Sequence, residues 1–365
     1  MKRYMITFIT TVIFIIAFTS ISIASSESEA KIYITGDLMC QYKQQIEGKP
    51  YGFFDFNHTF KYAKEIFKDG DLVIGNLETM ISSSNKLSLE VNKVEGKPYL
   101  NSPNEFLDAV KNAGYNVLVN ANNHNCDTNY NGIIETLDQI DKKNLLHTGL
   151  FRDGKEKRYI IKDVNGIRIG ILSYATYYNQ KEDNMSLFQR LFMLNRYSKI
   201  KISSDIKKMK ANGVDFIIAY NHWGSEYTNI ENSKQIKYAM EMAEAGVDFI
   251  AGSHPHALQK YDILQTKDNR KVPVIYSLGN FVSHMTKSPI TKDTIILKIT
   301  LSKDKGRVSI KEEGYYPCTM YEKFGNYSYV LVPCCSEFNG NYHDDELNDT
   351  HKRISQIIGD KIDIL

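Results

Sequence analysis

The sequence predicts an α/β fold, with helices layered around a central sheet of mixed strand direction. Three observations carry this expectation. Continuous apolar runs of strand length alternate with stretches of helical period over most of the chain. Three times a helical stretch stops at a glycine, and an apolar strand then ends in polar residues: "NANNH", "AYNHWG" and "AGSHPH". Two hairpins interrupt the alternation, one turning at Asn165-Gly166 and one within "DILQTKDNRKVPVIYSLGN", so the sheets are not purely parallel. The 365 residues, 42% hydrophobic and 24% charged, suffice for one large domain with a small appendage.

The chain opens with "MKRYMITFITTVIFIIAFTSISIASSESEA". A short basic start precedes an apolar stretch from Tyr4 to about Ala24, with small residues at Ser22 and Ala24 in the pattern a signal peptidase reads. Its length also approaches that of a membrane span. Residues 1–30 are therefore expected to be a signal peptide or an N-terminal membrane anchor with its linker, and either places the body outside the cytoplasm. The formal net charge of +2 includes Lys2 and Arg3 of this segment. So balanced a charge argues against a nucleic-acid partner. Five cysteines (Cys40, Cys126, Cys318, Cys334 and Cys335) are too few for a disulfide-built scaffold. They form no C-x-x-C pair for zinc. Whether Cys318 pairs with Cys334 or Cys335 is left open.

From Lys31 the elements follow in order. "KIYITGD" is a first strand, and a helical stretch around His58 to Lys68 leads to the strand "DLVIGNLE". "SPNEFLDAVKNAG" has Ser102 as N-cap, Pro103 at the first helical position and Gly114 as the stop. The strand "YNVLVNANNH" follows, then a helix near Asn131 to Lys142, the short strand "LLHTG" and the Asn165-Gly166 hairpin. "SSDIKKMKANG" and "SKQIKYAMEMAEAG" are helices that precede the strands "VDFIIAYNHWG" and "VDFIAGSHPH". Beyond about Thr294 come strands, a tyrosine-rich stretch and a polar helix from Asp345 to about Ile358. The expected organisation is a main domain over 31–300 and an edge extension over 301–365.

In open α/β sheets, sites form outside the carboxyl ends of the strands. Here five such exits carry an acid, an amide or an imidazole. Asp37 ends the first strand, Asn76 and Glu78 end the next, and "ANNHNCD" supplies Asn122, Asn123, His124 and Asp127. His222 follows "AYN", and His254 and His256 follow "AGS". Four of the nine histidines thus stand at three exits. His254 and His256 are separated only by Pro255, which biases the preceding residue toward extended backbone. In an extended segment they would point to the same side and reach one metal centre. Carboxylate, amide and imidazole donors without thiolate suit Mn²⁺, Fe or Zn²⁺. A shared carboxylate suits two ions, which would activate water for a displacement at phosphorus or a hydrolysis. A spare histidine would protonate the leaving group.

The motifs "GDLM", "NLET", "ANNHNCD", "HWGSEY", "GSHPHALQ" and "YSLGNF", in this order from Lys31 to Ser283, resemble the CapA/PgsA family of capsule or poly-γ-glutamate synthesis proteins. The resemblance implies a calcineurin-like metallophosphoesterase fold, a four-layer α/β/β/α sandwich with mixed sheets. It implies Asp37 as a metal ligand, Glu78 as the bridging carboxylate, Asn123 as an amide ligand and His124 as general acid. It implies His222, His254 and His256 as the later ligands of one or two divalent ions (Mn, Zn or Fe). Asn122, Asp127, Glu226, Gln259 and Asn280 fall in or beside the motifs as substrate contacts or supports of the ligands. The chain departs from the Asp-x-His opening of typical metallophosphoesterases, because position 39 is Met.

The family further implies an exported, extracytoplasmic protein, secreted or membrane-anchored at the cell surface. It would act in synthesis, export or trimming of an anionic surface polymer or its precursor, as a metal-dependent hydrolase or transferase with metal-activated water. Cleavage of γ-glutamyl amide links is a variant of this reading. The alternative is a non-catalytic subunit working with membrane polymer synthesis and export proteins, with a structural or vestigial metal site.

Overall fold

A computed structural model describes residues 28–49, 52–94 and 96–365. Of the expected leader and linker over residues 1–30, residues 1–27 lie outside the described residues, and Ser28 to Ala30 belong to the first strand, Ser28–Leu38. No helix among the described residues is long and apolar enough to cross a membrane.

Two mixed sheets form the centre. In the first, Ser28–Leu38 pairs in parallel with Leu72–Leu77, which is followed outward by Val117–Val119 and Leu146–Thr148, all parallel. On its other side Asp293–Asp304, Arg307–Phe324 and Tyr327–Pro333 follow one another in antiparallel order. The second sheet places Phe216–His222 between Ile167–Ala175 and Phe249–Ser253, all parallel. Lys271–Leu278 continues it in parallel, and antiparallel hairpins close both edges. The Asn165-Gly166 turn has both residues at positive φ, 53° and 84°, as the tight hairpin requires.

Strand residues alternate between two apolar environments, as the two-residue period dictates. Ile32, Ile34, Ile74, Val117 and Val119 of the first sheet meet Ile169, Ile171, Ile218, Phe249 and Ile275 of the second in a shared inner core. Tyr33, Val73 and Leu118 face outward onto Phe106 and Val110 of helix Asn104–Ala113 and Ile133 and Leu137 of helix Tyr130–Lys142. Leu172, Ile217 and Ile250 face outward onto Ile206 and Met209 of helix Lys199–Ala211 and Met242 of helix Ser233–Ala245. The result is the four-layer α/β/β/α sandwich. The helix Asp345–Ile358 inserts Ile354 and Ile358 into the inner core, so the C-terminal stretch covers the seam between the sheets as well as extending one edge.

Two expectations need correction. The stretch around His58 to Lys68 is not one helix but three short pieces, Asn57–Phe60 and Phe67–Asp69 with three residues per turn and Ala63–Ile66 between them. Phe60, Ala63 and Ile66 recur every third residue and are all buried in the outer core, a spacing that suits three residues per turn. The helix predicted to be capped by Ser102 starts at Asn104, with Pro103 at the N-cap. The Ser102 hydroxyl instead lies 2.6 Å from Thr79 Oγ1 and donates to the Cys40 carbonyl at 3.2 Å, so it ties two loops together. Gly114 ends the helix at φ 116° as expected.

Candidate metal centre

Strand register assembles the site. At the carboxyl ends of the first sheet Asp37 is level with Asn76 on one side and Asn280 on the other. In the second sheet His222 is level with Ser253 and Ala175. Gly36 and Gly252 let strands close up here, because a Cβ would lie 2.0 Å from the Gly279 carbonyl oxygen and 2.1 Å from that of Tyr276.

Between these rows Asp37, Glu78 and His222, all buried, each offer one donor atom, and the three donors lie within 4.8 Å of one another. His222 Nε2 is 3.6 Å from Glu78 Oε1 and 2.9 Å from Asn123 Oδ1. Its Nδ1 lies 3.0 Å from Ser253 Oγ. His254 packs its ring 4.7 Å from that of His222 and 6.1 Å from that of His256. His256 Nδ1 is 3.6 Å from Asp37 Oδ2 and 2.8 Å from Asn280 Oδ1. His124 Nε2 is 4.0 Å from Glu78 Oε1, and its Nδ1 is 2.7 Å from Asp127 Oδ2. The seven residues expected as ligands or acid therefore gather in one place. The tightest set is Asp37, Glu78 and His222, with Asn123, His124, His254 and His256 around it.

The expected reason for the histidine pair does not hold. His254 and His256 are not extended: both sit at positive φ, 93° and 52°. Side chains rarely adopt such backbone, and it concentrates at functional sites. The strain is anchored, since the His254 backbone N–H donates to Asp37 Oδ2 at 3.3 Å. A sharp turn, not a straight segment, brings the two rings to Asp37.

Electrostatics follow from burial. Desolvation would raise the Asp37 carboxyl, but the His256 hydrogen bond and the nearby imidazoles hold it well below the usual carboxylate range. Glu78 is pushed well above its ordinary value by burial and then by the facing Asp37. Burial, reinforced by neighbouring imidazoles, drives His222 well down and His254 down to about 3. Both are neutral at physiological pH, the state in which a ring nitrogen can ligate. His256 is raised, because Asp37 outweighs the effect of burial.

The donor set fits a divalent cation. Both oxygens of Glu78 and Nδ1 of His254 are buried without a hydrogen-bond partner. Buried polar atoms are rarely left so, and an unpaired buried carboxylate is expensive. A divalent cation held by these carboxylates and imidazoles would satisfy these atoms.

Residues 31–285 match the family described as bacterial capsule synthesis protein PGA_cap. The chain belongs to the CapA/PgsA family. It is 30% identical over 256 residues to the capsule biosynthesis protein CapA of Bacillus anthracis, covering 68% of this chain and 59% of that one. It is 28% identical over 247 residues to the PGA biosynthesis protein CapA of Bacillus subtilis (strain 168), covering 67% and 61%. The chain thus spans less than two thirds of either relative. The calcineurin-like phosphoesterase YfkN of Bacillus subtilis matches with TM-score 0.50 at 17% identity, over 90% of this chain and 97% of that one. The NAD nucleotidase of Haemophilus influenzae matches with TM-score 0.50 at 11% identity, over 93% and 57%. These likenesses show a calcineurin-like fold, which typically binds divalent metals.

In this CapA/PgsA chain the flanking residues sort by what they touch. Asn122 donates to Asn76 Oδ1 at 3.2 Å and to the Leu77 carbonyl at 2.8 Å, holding the two exits together. Asn280 accepts from His256 and donates to the Thr291 carbonyl, so it orients that ring. Gln259 is fully buried; it accepts from Gln235 and donates to the carbonyls of Thr228 and Ile230. Its amide is committed to the loop, not turned to a substrate. Glu226 is exposed at the rim, near enough to push up Glu78 and His256.

Met39 is buried, with its backbone N–H on the Val282 carbonyl, and supplies no imidazole at this position. Cys40 and Cys126 pack in the outer core, and burial pushes the Cys126 thiol up to about 12, so neither is a soft ligand. All five cysteines are free.

Sequence reasoning missed three parts of the site. Asn76 is its hub: its Nδ2 donates to Asp37 Oδ1 at 2.7 Å and lies 3.3 Å from His222 Nδ1. Its place at a strand exit was the available signal. Tyr177 and Tyr227, half-exposed, set their rings 6.4 Å from His254 and 5.9 Å from His256 at the mouth. Lys181 reaches Asp127 from a distant segment. Tyr227 closes the motif "HWGSEY" without a role read from it, and no local pattern marked Tyr177 or Lys181.

Proposed function

We propose that the chain is a metal-dependent hydrolase or transferase that acts outside the cytoplasm on an anionic surface polymer or its precursor, in capsule or poly-γ-glutamate synthesis, export or trimming. The observation that carries this reading is Glu78: a fully buried carboxylate with both oxygens unpartnered, facing Asp37, His222 and His124 at converging strand ends. A site built only for stability would pair or replace that group.

Asp37, Glu78, Asn123, His222, His254 and His256 would hold one or two divalent ions. Manganese, zinc and iron suit the donors. Such an ion supplies Lewis acidity at the substrate oxygen and makes water a nucleophile near neutral pH. The chain's own residues do the rest. Glu78, its carboxyl raised by burial and by Asp37, would lower its burial cost by meeting a positive charge there. Ser253 fixes the His222 ring through Nδ1 and leaves Nε2 facing the centre. His124 presents Nε2 toward Glu78 while Nδ1 donates to Asp127, so a second proton taken up at Nε2 would be the one passed to the departing oxygen, leaving the ring neutral with its hydrogen on Nδ1.

The test is turnover of bis(p-nitrophenyl) phosphate by the purified full chain with Mn²⁺, Zn²⁺ or Fe²⁺. Glu78→Gln should lose at least about 100-fold, in the range seen when a key electrostatic group is removed. A specific observation favours a second reading. Buried Met39 stands where typical metallophosphoesterases carry a ligand, as in a non-catalytic subunit of a membrane polymer synthesis or export complex. Wild-type chain that binds metal yet turns over neither phosphodiester nor γ-glutamyl amide would put that reading in front.

A further inference from the structure

The segment after strand Ile167–Ala175 passes the mouth of the site and turns on two consecutive non-glycine residues at positive φ, Asn179 (59°) and Gln180 (62°). One such residue is uncommon, and two in succession are held only where surrounding contacts over-determine them. The turn aims two side chains inward. Asn179 Oδ1 accepts from Asn123 Nδ2 at 3.2 Å. Lys181 Nζ lies 2.5 Å from Asp127 Oδ1 and donates to the Pro98 carbonyl at 2.9 Å. The strap is itself tied down, since Lys97 donates to the Asn179 carbonyl.

The Asp127 carboxylate is fully buried, and the Lys181 side chain is 11% exposed. Its oxygens are divided. Oδ1 takes Lys181, while Oδ2 takes His124 Nδ1 at 2.7 Å and the Leu100 backbone N–H at 2.6 Å. A buried carboxylate needs a compensating charge, and hydrogen bonds to both oxygens fix the plane of the group. With Oδ1 pinned, Oδ2 stays aligned with Nδ1 of the ring, and Nε2 faces Glu78 at 4.0 Å.

We propose that Lys181 is a positioning residue for His124. Acting through Asp127, it locks the imidazole in the tautomer that carries hydrogen on Nδ1 and in the orientation that turns Nε2 into the site. The catalytic consequence rests on the hydrolase reading; the orientation of the ring does not. Without the ammonium, the carboxylate is free to turn, and Nδ1 loses its fixed acceptor. Hydrolysis would then suffer only where the leaving oxygen needs a proton.

Two measurements on the full chain test this. In the metal-free protein, imidazole ¹⁵N spectra, with His124 assigned by its loss in His124→Gln, should show one tautomer protonated at Nδ1. Lys181→Met should give mixed tautomers, and Lys181→Arg should restore one. In the metal-loaded protein, Lys181→Met should lower kcat by about 10–100-fold for a diester with an alkoxide leaving group, the usual scale for a lost outer support. With p-nitrophenolate leaving, which needs no proton, kcat should change little and KM should hold in both cases. An unaltered single tautomer in Lys181→Met, or an equal loss on both substrates, overturns the assignment. If the methionine variant does not fold, Lys181→Gln carries the same comparison, keeping a donor for Pro98 without the charge. Loss of the tautomer in a protein whose wild type turns over neither substrate would leave Lys181 in its role and remove the hydrolase reading.

Discussion

Replacing Glu78 by Gln should make the metal-free protein more stable, the reverse of what a buried substitution normally does. Glu78 is fully buried, neither oxygen has a partner, and Asp37 faces it. The burden at pH 7 has a ceiling, because the group takes up a proton once ionisation costs more. From its ordinary value of 4.5 that ceiling is about 3 kcal/mol at 1.36 kcal/mol per unit. The new amide keeps the shape, but its own polar atoms are only partly satisfied, which returns about 1 kcal/mol or more. The net gain is about 1–2 kcal/mol, or roughly 1–3 °C in Tm for a domain of this size.

The pH dependence has a definite sign. The folded Glu78 holds its proton above the ordinary value, so the folded state binds more protons than the unfolded one. Wild-type stability therefore falls relative to Glu78→Gln as pH rises above about 4.5, until the folded group ionises. Metal reverses the ranking: at a concentration 100 times Kd the wild type gains about 2.7 kcal/mol, and the variant gains far less. Thermal or urea unfolding from pH 5 to 8, with chelator and with Mn²⁺, reads all of this. A chelated variant less stable than wild type throughout, or a gap that ignores pH, would refute the reasoning.

Two further outcomes are expected. Elemental analysis of the full chain should find stoichiometric metal that is lost in the double variant His254→Ala/His256→Ala; an equal content in both would remove these rings from the centre. Gln259→Leu should cost about 2–4 kcal/mol by stranding Gln235 and two loop carbonyls, while metal content stays at the wild-type value. Loss of metal without loss of stability would return Gln259 to the site.

Much of this architecture was legible because strands and their exits are local signals. Val73 and Ile74, or Ile217 and Ile218, are apolar neighbours facing opposite layers, so each strand reads as a continuous apolar run. Polar residues after such runs mark the carboxyl edge, and this found Asp37, Glu78, Asn123, His124, His222, His254 and His256 together. What failed were arguments about local shape and long-range partners. The His254-Pro255-His256 turn takes its backbone from the Asp37 hydrogen bond and close strand packing, neither visible in three residues. Asn76 stood at an exit but reads as an ordinary amide until register sets it beside Asp37 and opposite His222. The Lys181–Asp127 pair spans 54 positions, and nothing near either residue announces the other.

The first strand also sets a distance. Ser28 lies near its start and Asp37 near its carboxyl end, so at about 3.3 Å per residue the two are roughly 30 Å apart. Any attachment made through the residues before Ser28 holds on to one pole of the domain while the metal centre opens at the other. A site mounted in this way is a stand-off tool: it works a full domain's depth from the anchoring surface. On the proposed extracytoplasmic reading, such a site would suit a chain already extending from the cell better than a headgroup lying flat on the bilayer.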